Sequence, residues 1–269
     1  MTVRFVHISD THISADPAYT GSGAPVHPTA AAKALVERIN NLPFQPAFVL
    51  HTGDIVYDAD EAAYTLARDI LSQIKYPVYY IGGNHDNSPM MQRVFLEQEN
   101  VRPYYFYSFD IPGLRVVCLD STGPAEPPSG TVSDEQLEWL EHLCQAPNDR
   151  RMIVAVHHNV LPVGSPWMDD FMRMANGEAL HRVLRQAVDK LLGVFHGHIH
   201  QNQQITRDGI TYTSVLSSWY QLTSYPNQTE TVNEFDADPG YNVVTITPEQ
   251  VYVQQMRYKV PTFNPESVP

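Results

Sequence analysis

Apolar and polar positions along the chain follow a repeated strand-then-helix rhythm. Val3-Arg4-Phe5-Val6-His7-Ile8 is β-branched and aromatic, which predicts a strand. Residues 29 to 41 then set Ala32, Leu35, Val36 and Ile39, with Leu42 beyond, on one face at helical spacing. Ala47 to Leu50 predicts a second strand, about 60 to 74 a second helix, Pro77 to Ile81 a third strand and 88 to 98 a further helix. Tyr104 to Phe109 and Leu114 to Leu119 form an antiparallel pair across the turn Asp110-Ile111-Pro112-Gly113. Ser133-Asp134-Glu135-Gln136 reads as a capping box that opens a helix with Leu137, Leu140 and Leu143 on its buried side. Met152 to Val156 predicts a strand, about 178 to 190 a helix, and Gly193 to Phe195 a last parallel strand. The pattern then becomes all β. Gln203 to Thr206 and Ile210 to Leu216 read as a hairpin around Asp208-Gly209, a dipeptide suited to the positive φ of a tight turn, and Tyr241 to Ile246 with Val251 to Met256 as a second.

Length and charge narrow the classes. At 269 residues, with no repeat, low-complexity tract or linker-like break, residues 1–269 read as a single α/β domain with ample core. No apolar run approaches the ~20 residues that span a bilayer. Met1-Thr2-Val3-Arg4 leads straight into a strand without signal-peptide architecture, so the expected location is cytoplasmic. Cys118 and Cys144, in a predicted strand and helix, read as buried reduced thiols, in keeping with that compartment. A net charge of −13 with no basic run argues against a nucleic-acid polymer or an anionic membrane as partner. An anionic substrate then needs a local source of positive charge.

The chemistry lies where the predicted strands end. Ser9-Asp10-Thr11-His12 follows the first, Thr52-Gly53-Asp54 the second and Gly82-Gly83-Asn84-His85-Asp86 the third. His157-His158 follows the strand at 152–156, and Phe195-His196-Gly197-His198-Ile199-His200 carries three histidines in five residues after the last. A short histidine-rich tract alone is ambiguous between a metal site and ordinary structural histidines. Ligands of open α/β sheets bind at the carboxyl ends of strands, so five ends converge on Asp10, His12, Asp54, Asn84, His157, His198 and His200. Oxygen and imidazole donors without thiolate suit Zn, Mn, Fe or Co, and seven are too many for one tetrahedral ion. Gly53, Gly83 and Gly197 are expected to supply sharp backbone turns.

Asp10-x-His12, Gly53-Asp54, Gly83-Asn84-His85-Asp86, His157 and Gly197-His198-x-His200 together resemble the five-part signature of the calcineurin-like metallophosphoesterases. Within that superfamily, Asp54-Ile55-Val56, the run from Tyr76 into Gly83-Asn84-His85-Asp86, and His157-His158-x-x-Leu161-Pro162-x-Gly164 resemble the bacterial class III cyclic-nucleotide phosphodiesterases and glycerophosphodiesterases. That branch usually has two prolines after the His-His pair, where this chain has Asn159 and Val160. The resemblance implies a four-layer α/β/β/α sandwich of two mixed sheets flanked by helices, with the C-terminal hairpins of 203–260 extending the second sheet. It implies two divalent or trivalent transition-metal ions, one held by Asp10, His12 and His200 and the other by Asn84, His157 and His198, with Asp54 bridging. The implied reaction is hydrolysis of a small soluble phosphodiester by in-line attack of metal-bound hydroxide, the ions lowering the pKa of water towards ~7. They would also draw an anionic ester to an acidic chain.

His85 resembles the family's non-ligand histidine that contacts phosphate or helps protonate the leaving oxygen, against a plainer reading as a supporting residue. Asp86 reads as orienting a ligand histidine or its own loop, and Asp120 as a turn residue that could support the site. His157 is the ligand favoured over His158, and His196 is expected to point away. His7 and His51 read as structural, and His27, His142 and His181 as ordinary surface or loop residues. Paired acids such as Asp169-Asp170 and those of 234 to 238 read as solvated faces. Substrate choice falls to long loops at 16–28, 121–132, 159–177 with Trp167 and Met168, and 217–240 with Trp219, Tyr220 and Tyr225. Their aromatics could stack on a nucleobase, or pack a loop or an oligomer contact; a homo-oligomer is left open. Alternatives to the phosphodiesterase are a phosphomonoesterase or nucleotide pyrophosphatase on the same fold. A third reading is a non-catalytic protein-interaction scaffold, as in the retromer-subunit branch, where ligands are typically lost.

Overall fold

The computed structural model describes residues 2–19, 23–147 and 150–261, so positions 20–22 of the expected 16–28 loop lie outside the described residues. The chain runs β1 (Val3–Ile8), α1 (Pro28–Asn40), β2 (Phe48–His51), α2 (Glu61–Leu71), β3 (Val78–Tyr80), and a short α3 (Ser88–Met90) that continues as a π-turn over Met91–Phe95. Next come β4 (Tyr107–Ile111), β5 (Leu114–Cys118), α4 (Asp134–Gln145), β6 (Met152–Ala155), α5 (Pro166–Phe171), α6 (Gly177–Leu184) and β7 (Leu191–His196). The chain ends in strands: β8 (Gln204–Arg207), β9 (Ile210–Ser214), β10 (Gln221–Leu222), β11 (Asn233–Glu234), β12 (Gly240–Ile246) and β13 (Val251–Arg257).

Two mixed sheets, ordered β13-β12-β1-β2-β3 and β4-β5-β6-β7-β9-β8, form the middle of the molecule. Side-chain alternation along each strand explains the layering. Val3 and Phe5 of β1 meet Val116, Cys118, Ile153, Ala155 and Phe195 of the other sheet, while Val6 and Ile8 pack under Leu35, Ile39, Tyr64 and Ala67 of α1 and α2. Val117 and Val154 face the opposite way, onto Leu140 and Cys144 of α4 and Leu180 and Leu184 of α6. The arrangement is the four-layer α/β/β/α sandwich. Between the sheets, Phe5 stacks on Phe48 with centroids 4.8 Å apart. Burial of each such side chain contributes about 1.5–3 kcal/mol.

Local chemistry accounts for most boundaries. Asp60 caps α2 by accepting from Ala63 N at 2.7 Å, and Asp208 and Gly209 turn the β8–β9 hairpin with φ of 51° and 79°. Ser133 Oγ accepts from Gln136 N at 3.4 Å, but the Gln136 amide turns inward to the Asp120 backbone, so the reciprocal half of the capping box is replaced by a tertiary contact. The helix expected over 88–98 is instead three residues and a π-turn. Buried Gln92 reaches Ser88 O and the Arg102 backbone and opens the ladder. The helix expected over 178–190 ends at Leu184 and passes through a 3₁₀ turn at Arg185–Ala187. The 159–177 segment, expected as loop, contains α5.

The two C-terminal hairpins divide between the sheets. β8–β9 adds to the edge of the second sheet beside β7, whereas β12 pairs antiparallel with β1, so the 240–257 hairpin extends the first sheet and not the second. The reason lies in β12, buried at all but one of its seven positions, which needs cover on both faces. Only an inner place beside β1 supplies it. Both cysteines are free and buried, and burial pushes the Cys118 thiol up to about 12. No described helix is long and apolar enough to cross a membrane.

Candidate metal centre

The carboxyl ends of β1, β2, β6 and β7, with the segment after β3, meet in one crevice. Four overlapping groups there bring candidate ligand atoms within 4.8 Å of one another: Asp10, His12 and His200; Asp10, Asp54 and His157; His12, Asp54 and His85; and His157, His158 and His198. The amide Oδ1 of Asn84 lies 3.1 Å from His157 Nε2, so all seven residues picked out at strand ends share the site. All but half-buried Asn84 are buried.

Backbone strain marks the same residues. Of the seven described non-glycine residues with positive φ, five are Asp10 (55°), His12 (45°), Asp54 (52°), His198 (69°) and His200 (49°). Such conformations cost of order 1–3 kcal/mol each and persist only where surrounding contacts enforce them. Among the three glycines expected to turn the chain, only Gly53 has positive φ, at 100°. Gly83 and Gly197 serve close approach: an added Cβ would stand 2.2 Å from Asp54 Oδ1 at the first and 1.9 Å from Ser9 Oγ at the second.

Main-chain carbonyls orient the imidazoles. His157 Nδ1 donates to Thr52 O at 2.7 Å, His200 Nδ1 to Tyr220 O at 2.9 Å, and His198 Nε2 to Met172 O at 2.8 Å. Each then turns its other nitrogen into the crevice, where a deprotonated ring offers the lone pair that metal-binding histidines require. His12 Nε2 and His200 Nε2 stand 3.1 Å apart, and His12 Nδ1 is buried without a partner. His85 Nδ1 donates to Tyr57 O at 2.9 Å and its backbone N to Asp54 Oδ1 at 2.9 Å, leaving Nε2 free at the rim.

Charge follows this geometry. Burial pushes the Asp54 and Asp10 carboxyls up, but nearby imidazoles outweigh it, His157 for Asp54 and His200 for Asp10, and hold both well below the usual range. Burial pulls the His157 imidazolium down, yet Asp54 Oδ2 at 3.4 Å and Asp10 outweigh it and push His157 up to about 9. His157 must lose that proton before it can ligate. His198 is pushed down to about 3 by burial and by His157. Two ionised carboxylates ringed by imidazole nitrogens, without thiolate, fit hard-to-borderline divalent cations.

Neighbours fall into supporting places. His158 shares the crevice, but Nδ1 takes Ser121 Oγ at 2.7 Å and Nε2 donates to Pro128 O at 3.0 Å, so neither nitrogen is left over. His196 lies within β7 with Nδ1 3.2 Å from Gly197 O. Asp86 accepts from Gly83 N, Ile55 N and Tyr64 Oη, tying its own loop to the segment after Asp54. Asp120 gathers Tyr105 N and Thr122 in a turn. His181, expected at the surface, is instead buried between Tyr212 Oη at 2.6 Å and Asp208 at 3.0 Å, because α6 packs its histidine face on the β8–β9 hairpin. Trp167 and Trp219 are buried, whereas Tyr225 is exposed.

The buried histidines behind the crevice make a prediction for acid stability. His7, bonded to Thr52 Oγ1, and His51, bonded to Thr11 Oγ1, are pushed down by burial to about 3 and about 4. Each is neutral when folded and gains a proton only on unfolding. Their contribution is therefore full above about pH 6.5 and is lost as pH falls from there towards about 4. In chelator-treated protein, Tm is expected to drop between about pH 7 and about pH 5, with about two or more protons taken up on unfolding. A Tm flat over that range would contradict neutral burial of these rings.

The sequence does not reveal the groups that hold the candidate ligands. Thr52, Met172 and Tyr220 act through carbonyls, which no residue type reveals. Ser217 and Ser218 were legible in principle, since small polar residues directly after an apolar strand repeat the pattern seen at Ser9-Asp10.

Residues 3–202 match the Calcineurin-like phosphoesterase family. The chain is 28% identical over 222 residues to a 3',5'-cyclic adenosine monophosphate phosphodiesterase, CpdA, of Vibrio vulnificus, covering 82% of this chain and 78% of that one. It is 29% identical to a probable glycerophosphodiester phosphodiesterase, GpdQ, of Arcobacter nitrofigilis, covering 81% and 79%. It is 30% identical to CpdA of Escherichia coli K12, covering 82% and 78%. Among solved structures, a dimetal phosphatase from Danio rerio superposes with a TM-score of 0.72 at 15% identity, covering 95% of this chain and 96% of that one.

Proposed function

Because the chain belongs to the calcineurin-like phosphoesterase family, we propose that it is a binuclear metal-dependent phosphodiesterase acting on small soluble diesters of the cyclic-nucleotide or glycerophosphodiester type. At the coarser level it is a metal-dependent phosphoric ester hydrolase, as its phosphodiesterase relatives are. The observation that carries the finer reading is the clustering of left-handed backbone at five of the seven residues proposed as ligands. Strain of that kind is retained where function demands it. Residues 1–269 act as one domain in this reading, supported by the apolar layer that both sheets share. The buried free thiols suit the cytoplasmic location read from the sequence.

Asp10, His12 and His200 would hold one ion, Asn84, His157 and His198 the other, and Asp54 would bridge them. Iron, manganese, zinc and cobalt all suit these donors. When bound, the pair would supply Lewis acidity at the phosphoryl oxygens and make water acidic enough to ionise near neutral pH. The chain's own groups do the rest. His85, with Nδ1 fixed on Tyr57 O, presents Nε2 at the rim, where in its doubly protonated form it can donate to a phosphoryl oxygen or to the departing alkoxide. Asp54 fixes the backbone of His85 as well as standing at the centre, so substrate contact and metal position are coupled through one carboxylate.

Hydrolysis of bis(p-nitrophenyl) phosphate is expected to depend on added Mn²⁺ or Co²⁺, to stop with EDTA, and to exceed hydrolysis of the p-nitrophenyl monoester. A preference for the monoester would favour the phosphomonoesterase alternative. No turnover with any divalent ion would rule out both enzyme readings and leave the interaction scaffold. A screen of cyclic nucleotides against glycerophosphodiesters then names the substrate.

A further inference from the structure

One stretch of chain touches all three proposed ligands of a single metal position and none of the other's imidazoles. It is the segment 217–220, just after β9. Ser217 Oγ donates to Asp10 O at 3.0 Å. Ser218 gives both its N and its Oγ to Ser9 O, at 3.0 and 2.8 Å. The Trp219 ring stands 6.0 Å from His12, its Nε1 anchored on Val26 O at 2.7 Å, and Tyr220 O receives His200 Nδ1 at 2.9 Å.

The segment is itself held from outside. Gln221 clamps Ser217 through Ser217 N at 3.0 Å and Ser217 O at 3.0 Å, and Tyr258 Oη donates to Ser218 O at 2.8 Å. The imidazoles of the second position rest on unrelated elements: His157 on Thr52 O after β2, and His198 on Met172 O after α5. Two links cross over: His198 backbone N reaches the Asp10 carboxylate at 3.2 Å without involving the His198 ring, and Asp10 shares a group of candidate ligand atoms with Asp54 and His157.

We propose that Ser217 and Ser218 are positioning residues for the Asp10–His12–His200 metal position alone. The physical reason is the left-handed backbone at Asp10, φ 55°. An aspartate there relaxes towards ordinary φ unless its flanking carbonyls are tied down. Ser218 ties the carbonyl before the strained residue and Ser217 the carbonyl after it. Both hydroxyls are fully buried, so no water replaces them when they are removed. The segment thus sets the affinity of one ion without setting that of its neighbour. This rests on the binuclear reading above.

The test is stepwise loading of chelator-stripped protein with Co²⁺, followed by d–d absorption and calorimetry, with circular dichroism and Tm as the check on folding. Wild-type protein is expected to take up two ions. Ser217→Ala is expected to weaken one step by about 10–100-fold, the usual effect of removing a ligand's supporting contact, and to leave the other unchanged. Ser217→Thr, which keeps the hydroxyl, is expected to restore it. In a His157→Ala background the remaining step is the one that Ser217→Ala should weaken. If Ser217→Ala does not fold, Ser218→Ala or Tyr258→Phe loosens the same segment from a second point and carries the same expectation. Equal weakening of both steps, or none, would overturn the proposal while leaving the binuclear centre standing. Uptake of fewer than two ions by wild-type protein would overturn the centre itself.

Discussion

Asn84→Ala is expected to lower kcat/KM for bis(p-nitrophenyl) phosphate by about 10²–10³-fold, the range seen on removing one electrostatic stabiliser from an active site, with the fold unchanged. Asn84 is the cleanest of the proposed ligands to remove because its side chain is neutral and half-buried, and its Oδ1 lies 3.1 Å from His157 Nε2. Truncation there leaves no buried charge unpaired. His157→Ala is expected to lose activity at least as severely, but it also leaves the Asp54 carboxylate short of its main partner and so carries a stability cost. Paired measurement separates the two effects: far-UV dichroism and Tm report the fold, and bound-metal content after dialysis reports the site. Full activity in Asn84→Ala would contradict its place in the proposed ligand set.

Gly197→Ala is expected to destabilise the protein by about 3 kcal/mol, the upper end of ordinary overpacking costs. Its added Cβ would fall 1.9 Å from Ser9 Oγ, 2.6 Å from Asp10 Oδ2 and 2.8 Å from Ser9 Cβ. Neither neighbour has room to retreat. Ser9 is fully buried with its carbonyl held by Ser218, and Asp10 is already strained. At roughly 2–4 °C per kcal/mol for a chain of this size, Tm should fall by roughly 10 °C. Gly113→Ala is the control, because Gly113 has φ 78° but nothing within 4 Å of its added Cβ. It should lose only about 1 kcal/mol for the left-handed backbone. Equal losses in the two variants would mean that Ser9 and Asp10 give way to the added Cβ and that close approach does not require Gly197.

The layers of the fold were legible because their cause is local. Phe5 and Val6 point to opposite sides of β1 whatever lies there, so alternation announces a strand buried on both faces. Asp208-Gly209 likewise announces its turn through φ alone. The candidate ligands were legible for a related reason, since each sits two to four residues past a strand of recognisable pattern, and their residue types limit what they can do. Other features depended on distant partners. The π-turn at Met91–Phe95 exists because Gln92 finds the Arg102 backbone, and His181 is buried because Tyr212 and Asp208 meet it across α6. The 240–257 hairpin, expected on the second sheet, joined the first for the same reason: its place beside β1 is set by a partner strand more than 200 residues away.

By itself, then, the sequence determined the alternation of strands and helices, the order of the five strand ends and the identity of the side chains they carry. Only the tertiary structure decided which nitrogen of each imidazole faces the crevice, since carbonyls of Thr52, Tyr220 and Met172 make that selection from other parts of the chain. It also decided that His158 is engaged on both nitrogens, and that Gly83 and Gly197 are glycines for want of space. Side-chain periodicity is a property of a few consecutive residues, whereas a lone pair's direction and a missing 2 Å of room belong to segments that meet only when the chain has folded.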